Sequence, residues 1–150
     1  MNRLDLLRRD IAGIRAFLEE FGGCASGEPR SAGVNGTAET VLLRNFPLPD
    51  SFRPDYIDML LVVADYPGTP PIGLYVLNRN NAALLQRLER VFSMYRDRAY
   101  YKAPSITGYT WICYHYAGDV WRYNAARPEA GDNLRKFLMS FFSICERDGK

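Results

Sequence analysis

Residues 40–77 read TVLLRNFPLPDSFRPDYIDMLLVVADYPGTPPIGLYVL. Three apolar segments, 40–46, 56–64 and 72–77, are separated by PLPDSFRPD and by a connection containing YPGTPP. Parallel strands need crossover connections of a dozen or more residues, so segments joined this closely read as consecutive strands of an antiparallel meander. Proline has no backbone N–H and a fixed φ, which suits the turns of such a meander and not its strand interiors. The stretch therefore points to an α+β fold whose sheet is built from hairpins and covered by helices.

Upstream, Leu4, Leu7, Ile11, Ile14, Leu18 and Phe21 recur at three- and four-residue steps, with Asp5, Arg8, Arg9, Arg15, Glu19 and Glu20 at other positions. That is the pattern of an amphipathic helix ending at Gly22 and Gly23. Residues 22–38 are rich in Gly, Ala and Ser, lack periodicity, and read as a flexible connection. Downstream, Asn78, Asn80 and Asn81 offer capping side chains to a helix over 82–95, whose face is Leu84, Leu85, Leu88, Val91, Phe92 and Tyr95. Residues 109–116, YTWICYHY, have the aromatic and β-branched content of a fourth strand. Residues 128–146 place Leu134, Phe137, Leu138, Phe141, Phe142 and Cys145 on one face of a last helix, with Pro128 near its start. The expectation is one domain over 1–150, with a four-stranded antiparallel sheet covered mainly by the N- and C-terminal helices.

Apolar residues make up 47% and charged residues 24%, a globular profile. The 19 basic and 17 acidic side chains nearly cancel, which falls short of the basic balance of a phosphate-backbone binder, so nucleic acid is not an expected partner. The run YRDRAYYK, 95–102, interleaves aromatics with cations as single-strand binders do, yet Asp97 and the modest net charge favour a solvated helix end. Cys24, Cys113 and Cys145 cannot all pair and none sits at CxxC spacing, which suggests a reducing, cytoplasmic setting. The N-terminus lacks the apolar run of a signal peptide, and the longest apolar run, 59–64, is too short to span a bilayer, so no membrane partner is expected. No HExxH, glycine-rich phosphate loop or metal-ligand spacing occurs, and no cofactor or metal is expected.

Two motifs together resemble a known family. YPGTPPIGLYVL, 66–77, is similar to the Tyr-Pro-x-x-Pro-Pro turn and following strand of the ubiquitin-conjugating enzymes. WICYHYAGDVW, 111–121, resembles their Ile-Cys segment, in which a tryptophan follows the catalytic cysteine by eight residues, as Trp121 follows Cys113. The family's His-Pro-Asn tripeptide has no counterpart in KAPSITGYTW, 102–111, and the distance from Pro71 to Cys113 is longer than the family norm. These departures point to the divergent bacterial branch, whose members accompany small ubiquitin-like proteins and an activating enzyme. The resemblance implies a ubiquitin-conjugating fold and transferase activity, with Cys113 carrying the modifier as a thioester before its transfer to an amine of a protein target. It implies a setting in antiphage defence or protein modification, and docking of the activating enzyme on the first helix, where Arg8, Arg9 and Arg15 are the available cations.

A thiol suits such chemistry because thioester exchange is nearly isoenergetic and a cysteine retains some thiolate at neutral pH. In an extended segment Trp111, Cys113 and His115 share one face, which brings an imidazole near the sulfur as a candidate base. Asp119, in the short AGD stretch before Trp121, is a candidate for orienting the incoming lysine. The competing readings are structural: a cysteine among Trp, Ile and Tyr is commonly core, AGD is ordinary turn chemistry, and Trp121 serves to pack the loop onto the body. Cys145 reads as core and Cys24 as an incidental loop residue. The rival function is a catalytically inactive scaffold of the same fold that binds a modifier or partner protein.

Overall fold

The computed structural model describes residues 2–21, 28–36, 39–72, 74–96, 103–114, 116 and 120–148. In chain order the elements are α1 (Arg3–Glu19), β1 (Ser31–Val34), β2 (Thr40–Pro47), β3 (Tyr56–Val62), β4 (Leu74–Leu77), α2 (Ala82–Leu88), β5 (Ser93–Arg96), β6 (Tyr109–Cys113), a 3-10 turn (Pro128–Ala130) and α3 (Leu134–Asp148). The strands form one six-stranded antiparallel sheet in the order β1-β2-β3-β4-β6-β5.

The meander over 40–77 forms as its short connections require, and the α+β class holds. The sheet has six strands rather than the expected four, and both additions arise from non-local pairing. β1 lies inside the segment read as a flexible connection; Ser-Ala-Gly-Val carries no strand signal of its own, yet it pairs along β2 from Ser31↔Arg44 to Val34↔Val41. Arg15 pins it from the helix side, with Nε and Nη2 donating to the Ala32 carbonyl at 3.2 and 3.0 Å. β5 lies inside the segment read as the end of the second helix. α2 buries Leu84, Leu85 and Leu88 and then stops, with the N–H groups of Val91 and Phe92 both donating to the Leu88 carbonyl. Beyond it, the free edge of β6 offers a ladder from Ser93↔Cys113 to Arg96↔Thr110. Local helical periodicity gave way to those hydrogen bonds.

Asn81 occupies the N-cap of α2 but makes no capping bond; its Nδ2 donates to the Leu77 carbonyl at 2.7 Å. Asn78 accepts from the Thr110 hydroxyl at 2.5 Å. These side chains tie α2 to β4 and β6 instead of starting the helix. At α1, Asn2 does cap, accepting from the Asp5 N–H, and Asn133 does the same for the Lys136 N–H at the start of α3. The last helix begins at Leu134, with Pro128 in the separate 3-10 turn.

One extra residue in β2 sets which side chains reach the core. The register passes from Leu43↔Met59 to Phe46↔Ile57, three residues on one strand against two on the other. Asn45 takes a φ of 54° in the bulge and is held by the Asp58 carboxylate, which accepts its N–H at 2.9 Å. Val41, Leu43 and Phe46 thereby all face inward despite the change of parity. The helix-covered face of the sheet joins α1 (Leu7, Ile11, Ile14, Phe17) and α3 (Leu134, Phe137, Leu138, Phe141, Cys145) in the main core. Each such side chain contributes about 1.5–3 kcal/mol when fully buried. α3 packs on α1 and on Phe21 just beyond it, whose ring centroid lies 5.3 Å from that of Phe142. Among the described residues no helix is long and apolar enough to cross a membrane.

Candidate functional site

Cys113 is the last residue of β6, opposite Ser93. Strand alternation sends Thr110 and Ile112, both fully buried, toward the helices, and turns Tyr109, Trp111 and Cys113 to the other face of the sheet. There a smaller cluster forms around Val62, Tyr75, Ala103 and Trp111, with Cys113 at its margin and half-buried. Two hydrogen bonds lock this cluster: Trp111 Nε1 donates to the Ile72 carbonyl at 2.6 Å, and the Tyr75 hydroxyl donates to the Pro104 carbonyl at 2.8 Å. Partial desolvation pushes the Cys113 thiol above its ordinary value. Cys145 is fully buried in the main core, where burial pushes its thiol up to about 12. Of these two cysteines, Cys113 is the one open to solvent.

His115 and Asp119 lie outside the described residues, as do Cys24 and residues 97–102 of the aromatic and basic run. Tyr114 and Tyr116 anchor the chain just beyond Cys113. The Tyr114 hydroxyl donates to the Phe137 carbonyl at 3.0 Å, with its ring packed edge-on against Phe137, and the Tyr116 hydroxyl donates to Asp132 Oδ1 at 2.8 Å.

Trp121 packs onto the body of the protein. Its Nε1 donates to the Pro67 carbonyl at 2.8 Å, and its ring meets Tyr66 edge-to-face with centroids 5.9 Å apart. Tyr66 is itself buried, in a turn closed by the Tyr66 N–H to the Val63 carbonyl and the Thr69 N–H to the Asp65 carbonyl. The hydroxyl of Tyr66 donates a short bond to Asp10 of α1, and Arg3 Nε donates to its carbonyl at 2.8 Å. Burial, followed by the bond to Asp10, pushes the Tyr66 phenol far above its ordinary value.

The three arginines of α1 do not form one patch. Arg8 is exposed and, with Arg15, lines an open groove of about 520 Å³ between α1 and the end of β1, floored by Leu4, Ile11 and Val34. Arg15 also braces β1 through Ala32. Arg9, one residue from Arg8 and so turned by about 100° around the helix, is half-buried and donates to the Tyr123 hydroxyl at 3.0 Å. The expectation of three exposed cations is thus corrected at Arg9. All three are on the helix-covered side of the sheet, whereas Cys113 faces the other side.

Sequence reasoning passed over Asp10, Tyr123 and Asp132. The first left a legible signal, since Asp10 falls within the apolar stripe of Leu7, Ile11 and Ile14, where a carboxylate needs a buried partner. Tyr123 and Asp132 sit in irregular chain and left none. Among the described residues no group of three or more His, Cys, Asp or Glu side chains is placed to hold a metal ion. No protein-family model, curated protein or solved structure matches the chain. The functional reading rests on this geometry and on the two motifs.

Proposed function

We propose that the chain is a ubiquitin-conjugating-like enzyme of the divergent bacterial kind, with the corresponding fold. In this reading Cys113 accepts a ubiquitin-like modifier from an activating enzyme and passes it to an amine of a protein target. One observation carries the reading: Trp121 docks on the Tyr66–Pro67 turn, 54 residues away in sequence. The two motifs that resemble the family thus meet in space, as parts of one site would.

In the first step the Cys113 sulfur attacks the carbonyl carbon of the incoming thioester. A new carbon–sulfur bond forms, the donor's carbon–sulfur bond breaks, and the Cys113 proton ends on the departing thiol. In the second step an amine nitrogen attacks the same carbon, the bond to Cys113 breaks, and a proton from nitrogen returns to the sulfur. The raised thiol lowers the fraction of thiolate, but a more basic sulfur is also the stronger nucleophile once ionised, so the rate falls by less than the population does. His115 and Asp119 enter on the sequence pattern alone, the first as base to the thiol or amine and the second as a group that orients lysine. The Arg8 groove is the docking surface assigned to the activating enzyme, with Arg9 directed elsewhere. No resident cofactor is needed, since the acyl group arrives activated.

The desolvation that raises the Cys113 thiol also favours a second reading, a scaffold that keeps the fold and binds a modifier or partner without acylation. One experiment separates them. Incubated with activating enzyme, ATP and modifier, the wild type should form an adduct that survives nonreducing gels and collapses with thiol. Cys113→Ala should abolish it, Cys145→Ser should keep it, and Cys113→Ser should give a thiol-resistant ester. A functional Cys113→Ala protein would establish the scaffold instead.

A further inference from the structure

Among the described residues between β6 and α3 (114, 116 and 120–133), the one regular element is the 3-10 turn. Such a segment cannot satisfy itself with a ladder, and its order has to come from side chains. Asp132 supplies two ties, accepting from the Tyr116 hydroxyl at 2.8 Å and from the Arg122 N–H at 2.7 Å. The Asp132 N–H donates back to the Arg122 carbonyl at 2.7 Å. Trp121 is held by Pro67, and Tyr123 is held by Arg9 of α1.

Beneath these ties lies a buried carboxylate. Asp10 is 6% exposed and stands in the apolar stripe of α1. An apolar side chain there would join Leu7, Ile11 and Ile14 without the desolvation cost that an ionised group carries. What Asp10 does is hold the phenol of Tyr66, accepting the hydrogen bond of its hydroxyl. The Tyr66 ring stands edge-on to both Trp121 and Tyr123, at 5.9 and 5.6 Å between centroids. α1 therefore grips the chain after Cys113 twice, directly at Tyr123 and indirectly through Tyr66 and Trp121.

We propose that Arg9, Asp10 and Tyr123 are positioning residues, forming a clasp between α1 and the segment after Cys113 that sets the geometry in which an amine attacks the Cys113 thioester. The proposal rests on the conjugating reading. The step it controls forms the nitrogen–carbon bond, breaks the carbon–sulfur bond and leaves the proton on sulfur. A displacement of about 1 Å from a remote change can slow such a step by roughly 100-fold. Acceptance of the acyl group is the less demanding step, because its nucleophile is the fixed Cys113 sulfur itself, whereas in discharge a free amine has to be brought into line with the thioester.

The test uses the full chain, a Gly-Gly mercaptoethanesulfonate thioester as acyl donor and free lysine as acceptor, with Cys113→Ala as the blank. Tyr123→Phe keeps the ring and removes the hydroxyl; Asp10→Asn keeps the size and removes the charge. In both, acylation of Cys113 followed by mass spectrometry should stay within about twofold of wild type, while discharge to lysine falls by about 10-fold or more. Amide exchange at residues 120–124 should quicken, with a melting midpoint within about 5 °C of wild type. Arg135→Ala, which removes only an exposed pairing with Glu20, should change neither rate. Discharge and exchange unchanged in Tyr123→Phe would overturn the clasp, and so would a discharge loss matched by an equal loss of acylation. A wild type that takes no acyl group on Cys113 is a different failure: it sinks the conjugating reading, and the transfer role with it.

Discussion

Replacing Gly131 by alanine tests the packing of the segment after Cys113 by one methyl group. A Cβ there would lie 2.5 Å from the Arg122 carbonyl oxygen, 2.9 Å from the Asn124 nitrogen and 3.1 Å from Asn124 Cβ. The first two obstacles are backbone, so the chain over 122–124 has to move. Gly131 has φ −125° and ψ −167°, an extended conformation open to any residue, and backbone strain is not involved. In such a conformation alanine ordinarily stabilises by about 0.4–1 kcal/mol, through the unfolded chain. Against that, relieving an overpacked contact costs about 1–3 kcal/mol. Moving Arg122 also weakens its two 2.7 Å bonds with Asp132, each contributing about 1 kcal/mol. The net expectation is a loss of about 2 kcal/mol, or about 4–8 °C at the ~2–4 °C per kcal/mol typical of this size. Urea unfolding should show the loss as a lower midpoint at unchanged slope. Gly13→Ala is the paired control: this helical glycine has nothing within 4 Å of its added Cβ, and alanine should stabilise by about 0.5–1 kcal/mol. A Gly131→Ala protein unfolding at or above the wild-type midpoint, with Gly13→Ala stabilised as stated, would refute the close approach of 122 and 131.

Alkylation by iodoacetamide should modify Cys113 in the native protein, with a half-maximal pH above the usual ~8.5 of a thiol because burial disfavours the thiolate; Cys145 should react only in denaturant, and equal native rates would contradict both assignments. Burial pushes Tyr75, Tyr114 and Cys145 up to about 12. The folded values exceed the unfolded ones, so the unfolded chain loses its protons first and their contribution to stability, complete below ~8.5–10, declines as pH rises toward 12. Urea midpoints at pH 8 and pH 11 measure this, and equal midpoints would be the contrary result. Arg8→Glu should slow charging by the activating enzyme and reduce its salt dependence, since Arg8 is exposed in the groove; an unchanged rate removes that groove as the docking surface.

The class of the fold was legible because periodicity is a local property. The steps of Leu7, Ile11 and Ile14, the alternation in β3 and β6, and the prolines between strands each specify an element and the face it buries, without knowledge of any partner. The same alternation placed Trp111 and Cys113 on one face. β1 and β5 were not legible, since short segments such as SAGV and SMYR become strands only when a neighbouring edge offers hydrogen bonds. Nor could the chain's order of residues give the half-burial of Cys113, which depends on a cluster drawn from β3, β4, β6 and residues 103–106. The meeting of Trp121 with Tyr66, of Tyr66 with Asp10, and of Tyr123 with Arg9 joins side chains far apart in sequence whose edge-to-face rings and hydrogen bonds exist only after the sheet has brought them together. Sequence determined the elements and their buried faces, because those follow from the repeat of helix and strand; tertiary structure alone decided the extra strands, the accessibility of the thiol and the clasp on its loop, because each rests on bonds between residues that the chain does not place side by side.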